Sequence, residues 1–326
     1  MKKMIKQPFE SLGPGILVTA AFIGPGTIVS GSLAGAHFGY SLLWALLFSA
    51  FATIVLQEMT ACLALVSGQG LGENIADHFS HPFFRLVTIT LVVSAIAIGN
   101  CAYQSSNIAG AAMGLTNLFQ GAGLHPALWP ALIALLAFAL LWTGSYKLIE
   151  KALIALVGLM SVAFLMTFIM TQPDYSQVLS GLLKPSLPTG ATLTVVALIG
   201  TTIVPYNLFL HASTVNEKWQ STDNLSKAKK DLYFSIPLGG VISIAIVSAA
   251  ASAFFGKQAD LQSAADLAPA LQPLFGDLAQ IMIAIGLIAA GLSSAITAPL
   301  ATAYALSGLL KKPVKMDHPF FRLLWM

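Results

Sequence analysis

A long apolar run near the start of the chain is interrupted by glycine and proline. Residues Leu12 to Phe38 are long enough to cross a bilayer, which takes roughly 20 residues. Gly24-Pro25-Gly26-Thr27 lies near the middle of this run. Pro25 removes a backbone donor, and the glycines remove the stiffness that a helix needs. Because backbone exposed to lipid must be hydrogen-bonded, such a break indicates a segment that faces protein or a water-filled cavity.

A second apolar run is interrupted in the same way. Leu193 to Val215 carries Thr201-Thr202-Ile203-Val204-Pro205-Tyr206-Asn207. Two interrupted spans in corresponding halves of a chain are typical of secondary transporters, in which the substrate binds at the breaks. The sequence therefore predicts a transport site where these two segments meet.

The composition places the whole chain in a membrane. Of its 326 residues 56% are hydrophobic and only 9% are charged, whereas soluble domains carry about 25% charged residues. The prediction is an all-α polytopic membrane protein with eight spans, each bounded to within a few residues. The predicted spans are Leu12–Phe38, Leu42–Val66, Phe83–Phe119, Ala127–Trp142, Ile149–Met170, Leu193–Val215, Leu232–Phe255 and Leu278–Leu310.

A ninth apolar segment begins at Phe320 and reaches Met326, which is too short to cross a bilayer. We expect it to lie at the interface or to begin a further span of a longer protein, and the second interpretation is favoured.

The distribution of Lys and Arg predicts the orientation. With the amino terminus in the cytoplasm, the segments predicted to face inward hold all Lys and Arg residues except Lys184 and Lys257. Positive charge concentrates on the cytoplasmic side of membrane proteins. The expected location is therefore a plasma membrane, taken as the bacterial inner membrane, with a cytoplasmic amino terminus.

The spacing of the two breaks predicts an internal repeat. The broken spans are the first and the sixth, and a unit with an odd number of spans is inverted in its second copy. Residues 1–172 would form the first repeat, with spans one to five. Residues 173–326 would form the second repeat, which is incomplete at three spans and the start of a fourth.

Three segments carry a resemblance to a known family. They are Gly24-Pro25-Gly26-Thr27 with the AGAHFGYSLLW that follows, GTTIVPYNLFLHAS at Gly200–Ser213, and AAGLSSAITAPLATAYALSGLL at Ala289–Leu310. The chain resembles a divergent Nramp protein (natural resistance-associated macrophage protein), truncated after the eighth span. The resemblance implies the leucine-transporter-like fold with an inverted five-span repeat, and proton-coupled import of divalent metal ions.

The metal-binding motifs of that family are altered here. Its Asp-Pro-Gly-Asn motif corresponds to Gly24 through Thr27, which removes both ligand side chains. Its Met-Pro-His motif corresponds to Val204-Pro205-Tyr206, which removes the thioether. An acidic pair that relays protons aligns with Gln104 and Asn107, whereas one family histidine is kept as His211.

The residues that remain predict a site made of neutral oxygens. Gly24, Thr27, Thr201, Val204 and Tyr206 are the candidate substrate-binding residues. The backbone at Gly24 and the hydroxyls of Thr27 and Thr201 are the candidate contacts to a transported metal ion. Without Asp, Asn and Met, a cation that keeps part of its water shell, such as Mg²⁺, is favoured over Mn²⁺ or Fe²⁺. A small zwitterion such as an amino acid is the alternative substrate.

Glu58 is the one acidic residue that the predicted boundaries place well inside a span. A carboxylate in the membrane is costly, so it is a candidate ion ligand or proton carrier. The alternative is a structural hydrogen bond to a neighbouring helix. Gln104, Asn107 and His211 join it as candidate coupling residues, and the polar stretch from Asn100 to Asn107 indicates a wet cavity.

The leading hypothesis is an Nramp-like secondary transporter that moves divalent cations by alternating access, as a symporter that uses protons. The alternatives are a transporter of a small organic substrate on the same scaffold and a truncated product that does not transport. No catalytic motif occurs in the spans, so no enzyme activity is predicted. No resident cofactor is expected. The expected partners are the lipid bilayer and a small substrate, not nucleic acid, and no oligomeric state is predicted.

Overall fold

The computed structural model describes residues 13–119, 125, 127–256 and 276–326, and every regular element in those ranges is helical. The α-helices, in chain order, are α1 (Pro14–Phe22), α2 (Pro25–Phe38), α3 (Leu43–Ser67), α4 (Leu71–His78), α5 (Pro82–Leu118), α6 (Leu128–Trp142), α7 (Tyr146–Met170), α8 (Tyr175–Leu183), α9 (Thr192–Thr202), α10 (Pro205–Trp219), α11 (Leu225–Phe254), α12 (Asp277–Leu309) and α13 (Pro319–Trp325). The basic start of the chain and Lys257, both used to predict the orientation, lie outside the described residues.

The apolar helices agree with most of the predicted spans. Six segments of the described chain are long and apolar enough to cross a membrane, and the bent pair α1–α2 makes a seventh. The fourth predicted span corresponds to α6, which has only 15 residues. At 1.5 Å per residue this helix is shorter than a typical hydrocarbon core. Two short helices that the sequence analysis did not predict, α4 and α8, lie in the connections.

Proline sets both helix breaks. α1 ends at Phe22 and α2 begins at Pro25, and their axes differ by 55°. α9 ends at Thr202 and α10 begins at Pro205. The bend there is gentler, and Thr192–Trp219 forms one continuous apolar segment of 28 residues. Each proline takes the first helical position, where its missing N–H costs nothing.

The broken helices lie at the centre of the bundle. All nine residues of α1 are buried, and α1 packs against α7, α10, α11 and α12. The most extensive contact in the described chain joins α5 and α12. Small residues allow that approach, since a Cβ on Gly291 would lie 2.5 Å from the Cβ of Ala111. α5 and α12 therefore form a rigid wall beside the two breaks.

The start of α11 differs from the predicted start of the seventh span. The seventh span was expected to begin at Leu232, which left Asp231 in a solvated loop. In the structure α11 begins at Leu225, and Asp231 is buried within it. The expectation was wrong because the carboxylate has partners that are distant in sequence. Asp231 accepts hydrogen bonds from the backbone N–H groups of Gly13 and Gly15, at 3.0 and 2.7 Å, at the start of α1.

Candidate functional site

A cavity of about 370 Å³ lies between the two breaks. The five candidate substrate-binding residues and Asn107 all line it. Its full lining is Ala21, Phe22, Gly24, Gly26, Thr27, Gly99, Ala102, Tyr103, Ser106, Asn107, Thr201, Val204 and Tyr206. The structure thus brings together the residues that the sequence placed at the breaks, on both interrupted spans and on α5.

At the first break, Thr27 turns back toward the helix that precedes it. Its hydroxyl donates a hydrogen bond to the carbonyl oxygen of Phe22, near the end of α1. Gly24 has no side chain, and a Cβ there would lie 2.8 Å from the Ser294 hydroxyl oxygen. Gly24 can therefore contact a substrate only through its backbone.

At the second break, two more hydroxyls donate to carbonyl oxygens. The Thr201 hydroxyl donates to Leu198 at 3.1 Å. The Tyr206 hydroxyl donates across the site to the carbonyl of Ala21 at 3.3 Å, which links the two broken spans directly. A hydroxyl has one hydrogen and two lone pairs. Since each hydrogen is already used, these oxygens present lone pairs to the cavity, and an electron-poor ligand suits them.

The free carbonyls at the end of α1 are fewer than the sequence implied. The carbonyl of Ala20 accepts from the Ser293 hydroxyl at 3.0 Å, and that of Ala21 accepts from Ser294 at 3.3 Å. α12 therefore supplies side-chain donors to the carbonyls that a broken helix leaves unpaired. These hydrogen bonds reduce the number of carbonyl lone pairs that are free for a substrate.

The polar stretch on α5 divides between two faces. Tyr103, Ser106 and Asn107 line the cavity, and the Tyr103 ring meets Tyr206 edge-on with centroids 5.9 Å apart. Asn100 and Gln104 instead bind α12. Asn100 donates to the Thr302 hydroxyl at 2.6 Å, and Gln104 donates to the Ala295 carbonyl at 3.0 Å. Part of the polar stretch thus lines the cavity, and the rest joins α5 to α12 through hydrogen bonds.

Among the described residues, the amide nitrogen of Asn107 is buried without a hydrogen-bond partner. This nitrogen is a donor that suits a water molecule or an acceptor group of a substrate, whereas a cation would meet Asn107 through its amide oxygen.

His211 lies away from the cavity wall. It is fully buried on α10, and its Nδ1 atom is 3.1 Å from the carbonyl oxygen of Gln57. Its Nε2 atom has no partner among the described residues.

Glu58 does not face the bundle interior as expected for a pathway residue. Its side chain is 27% exposed on the outer face of α3 and lies 2.7 Å from the Lys229 ammonium of α11. The Tyr233 hydroxyl also donates to it. Lys229 and Tyr233 are one helical turn apart, so both reach the same carboxylate. This pairing offsets the cost of the charge at that depth.

The family model of natural resistance-associated macrophage protein-like (Nramp) proteins matches residues 15–326. The chain belongs to this family. Among curated relatives, the divalent metal cation transporter MntH of Pectobacterium carotovorum is 28% identical over 310 residues, which covers 94% of this chain and 74% of that protein. MntH of Yersinia pestis is 29% identical over 309 residues, with the same coverage.

Solved structures agree with the Nramp assignment at the level of the fold. A mutant of the manganese transporter of Eremococcus coleocola matches with a TM-score of 0.74 and 23% identity, over 96% of this chain and 68% of that one. A nucleobase-cation-symport-1 family transporter in a closed conformation matches with a TM-score of 0.65 and 15% identity, over 96% and 70% of the two chains. The predicted all-α membrane fold is confirmed.

The two breaks of this Nramp protein carry the hydroxyls of Thr27, Thr201 and Tyr206, and α5 adds the amide of Asn107. In the described part of the chain, His, Cys, Asp and Glu nowhere gather in groups of three that could hold a metal ion. A cation in the cavity would therefore meet neutral oxygens, which suit hard cations more than soft ones.

Sequence reasoning missed several residues that shape this Nramp site. Ser293 and Ser294 were quoted only as part of a resembling segment, and Tyr103 only as part of a polar stretch. Their roles depend on which face of a helix meets the breaks. Asp231 was assigned to a solvated loop, and a carboxylate directly before an apolar run was the one signal that could have found it.

Proposed function

We propose that this chain transports a divalent cation across the membrane, with Mg²⁺ preferred to Mn²⁺ or Fe²⁺. The observation that carries the proposal is the cavity at the two breaks, where Thr27, Thr201 and Tyr206 present oxygen lone pairs. Mg²⁺ takes oxygen ligands and keeps several of its waters, so a neutral site of this volume suits it. The MntH relatives, named as divalent metal cation transporters, support a metal ion as the substrate class.

We propose alternating access as the mechanism, in which the broken spans one and six, together with spans two and seven, rock against spans three, four and eight. In the described chain, the wall of α5 and α12 beside the breaks is tightly packed, whereas the start of α1 is held by hydrogen bonds to one carboxylate. Release of those bonds would let α1 move while α5 and α12 stay in place.

Flux into proteoliposomes tests the proposal. The purified chain is reconstituted with a Mg²⁺-sensitive dye inside, and Mg²⁺ or Mn²⁺ is added outside. We expect Mg²⁺ uptake above that of empty liposomes, and a loss of at least tenfold in Asn107→Ala. Gly158→Ala is the control, because a Cβ there would meet nothing within 4 Å. Uptake of Mn²⁺ but not Mg²⁺ would contradict the ion preference.

One observation favours a small organic substrate as the second candidate. The cavity is about 370 Å³ and is lined largely by apolar atoms, among them the rings of Phe22, Tyr103 and Tyr206. Pockets of this size commonly enclose organic ligands. Uptake of a radiolabelled amino acid without uptake of any divalent ion would replace the first proposal with this one.

A further inference from the structure

A second polar cavity lies at the end of the bundle that carries most of the lysines. Its volume is about 370 Å³, and it is separate from the cavity at the breaks. Glu73 of α4, Ser213, Asn216 and Glu217 of α10, and Tyr304 of α12 contribute its polar groups. Three elements that are distant in sequence thus enclose a space rich in oxygen atoms.

Glu73 is the central charge of this cavity. Its Oε2 atom is buried and has no hydrogen-bond partner among the described residues. Burial raises the pKa of the Glu73 carboxyl, and the backbone N–H groups of Glu73 and Gly70 offset only part of that effect. A buried carboxylate oxygen without a partner is costly, so its presence calls for a ligand.

A second side chain points to the same space. Tyr304 is 98% buried and lines the cavity, yet its hydroxyl has no partner in the described part of the chain. Buried polar groups are normally hydrogen-bonded, and two unsatisfied oxygens in one cavity mark a place for a bound group. Both oxygens can accept, which a cation or its bound water satisfies.

The geometry around Gly70 shows how close two of the oxygens lie. A Cβ on Gly70 would be 2.7 Å from Oε2 of Glu73 and 2.9 Å from the hydroxyl oxygen of Ser213. The two oxygens are therefore no more than about 5.6 Å apart and border the same small space. The absence of a side chain at Gly70 keeps this space open.

We propose that this cavity is a binding site for a divalent metal cation held by oxygen ligands, with Glu73 as its central carboxylate. Glu217 supplies a second carboxylate at the exposed mouth, and Ser213 and Tyr304 supply hydroxyl oxygens. Hard cations such as Mg²⁺, Ca²⁺ and Mn²⁺ take such ligands. With two carboxylates we expect a dissociation constant of about 10⁻⁴ to 10⁻³ M, which is the weakest range found for protein calcium sites. The site is distinct from the cavity at the breaks and does not depend on its substrate.

Terbium luminescence on the full chain in detergent tests this site. Tb³⁺ takes the same oxygen ligands and emits when a nearby aromatic ring is excited, and Tyr304 lies in the cavity wall. We expect saturable emission that Mg²⁺ or Ca²⁺ displaces. Glu73→Gln and Gly70→Ala should each weaken binding at least tenfold, the first by removing the charge and the second by filling the space. Gly158→Ala and Glu58→Gln, which lie elsewhere, should bind as the unmodified chain does.

Wild-type affinity in both Glu73→Gln and Gly70→Ala would overturn the proposal. If either variant elutes as an aggregate, Glu217→Gln decides, because that side chain is exposed and its loss disturbs no packing. A fall of at least threefold in Glu217→Gln supports the site, and unchanged affinity rejects it. Asn107→Ala should keep the emission whatever its transport rate, so failure here and failure of the transport proposal can be told apart.

Discussion

At the scale of single residues, the chemistry of the breaks depends on which acceptors the hydroxyl groups bind. Thr27 and Tyr206 both donate to carbonyls at the end of α1, and Thr201 donates within α9. The sequence predicts that these side chains meet, because proline and glycine mark both breaks. It does not predict the donors that Ser293 and Ser294 add, since these depend on how α12 is rotated.

Placing a carboxylate and a thioether at the two breaks should raise the affinity for a transition metal. Gly24→Asp with Val204→Met supplies a carboxylate and a thioether to the cavity, and we expect Mn²⁺ affinity to rise at least tenfold, about 1.4 kcal/mol. A Cβ at position 24 would lie 2.8 Å from Ser294, so adding Ser294→Ala should increase the gain. Calorimetric titration measures it, with the two single variants as controls. Unchanged Mn²⁺ affinity in all of them would mean that these positions do not contact the ion.

Asp231 should hold the start of α1 in place. Asp231→Asn weakens the charge-assisted hydrogen bonds to Gly13 and Gly15, which are worth about 1.5 to 3 kcal/mol. We expect amide hydrogen exchange in α1 to accelerate by about 10- to 100-fold, measured by mass spectrometry. Asp223→Asn, in the exposed turn before α11, is the matched control. Equal exchange in both variants would show that the carboxylate does not hold α1.

Glu58 should be dispensable for transport. It lies on the outer face of α3, paired with Lys229, and does not line the cavity at the breaks. We expect Glu58→Gln to transport at the unmodified rate across the pH range of the flux assay. A shifted pH profile would return Glu58 to the coupling pathway. The sequence predicts that this carboxylate lies within a span, but the direction it faces depends on the packing of α3.

At the scale of elements, α5 shows how one helix serves two purposes. Its cavity face carries Tyr103, Ser106 and Asn107, whereas Asn100 and Gln104 bind α12. Positions three and four residues apart share a face of a helix, so the sequence places Gln104 and Asn107 in one polar stripe. It does not indicate that one edge of this stripe lines the cavity while the other edge binds α12.

The two edges of this stripe predict opposite effects of matched amide deletions. Asn100→Ala removes hydrogen bonds to Ala298 and Thr302, and we expect a loss of about 1 kcal/mol in the free energy of unfolding with transport retained. Asn107→Ala should keep the stability and lose transport. Thermal unfolding and flux on both variants measure this. Loss of transport in Asn100→Ala at full stability would contradict the division.

The sequence HPFFRL occurs twice, at His81–Leu86 and at His318–Leu323, and both copies have the same local role. In both copies the histidine is the N-cap residue of a helix, and its Nδ1 atom accepts from the N–H two residues on, at 3.3 Å for His81 and 3.2 Å for His318. Each proline then takes the first helical position. Both copies therefore start a helix in the same way. This local role does not require them to occupy corresponding positions in the two predicted repeats.

At the scale of the whole molecule, the order of the apolar helices was predictable because hydropathy and proline are read directly from the sequence. The tertiary links were not. Asp231 reaches Gly13 over 218 positions, and no local pattern encodes such a contact. The orientation in the membrane also remains a prediction from lysine placement.

Matched cysteine labelling tests that orientation. Thr189 and Thr222 are exposed and lie on segments predicted to face opposite sides. After Cys62→Ala and Cys101→Ala, we expect a membrane-impermeant thiol reagent added outside intact cells to label Thr189→Cys, and Thr222→Cys only after lysis. The reverse pattern would place the amino terminus outside.

The hydrogen bonds between Asp231 and the start of α1 also determine which sequence changes α1 tolerates. At the start of α1, Asp231 accepts hydrogen bonds from the backbone N–H groups of Gly13 and Gly15, so these bonds set no requirement for a particular side-chain chemistry there. Their requirement is for empty space, because a Cβ on Gly15 would lie 3.1 Å from both the carboxylate and the backbone of Asp231. In a saturation-mutagenesis screen, tolerance at Gly15 should therefore follow side-chain volume, whereas tolerance at Asp231 should follow charge.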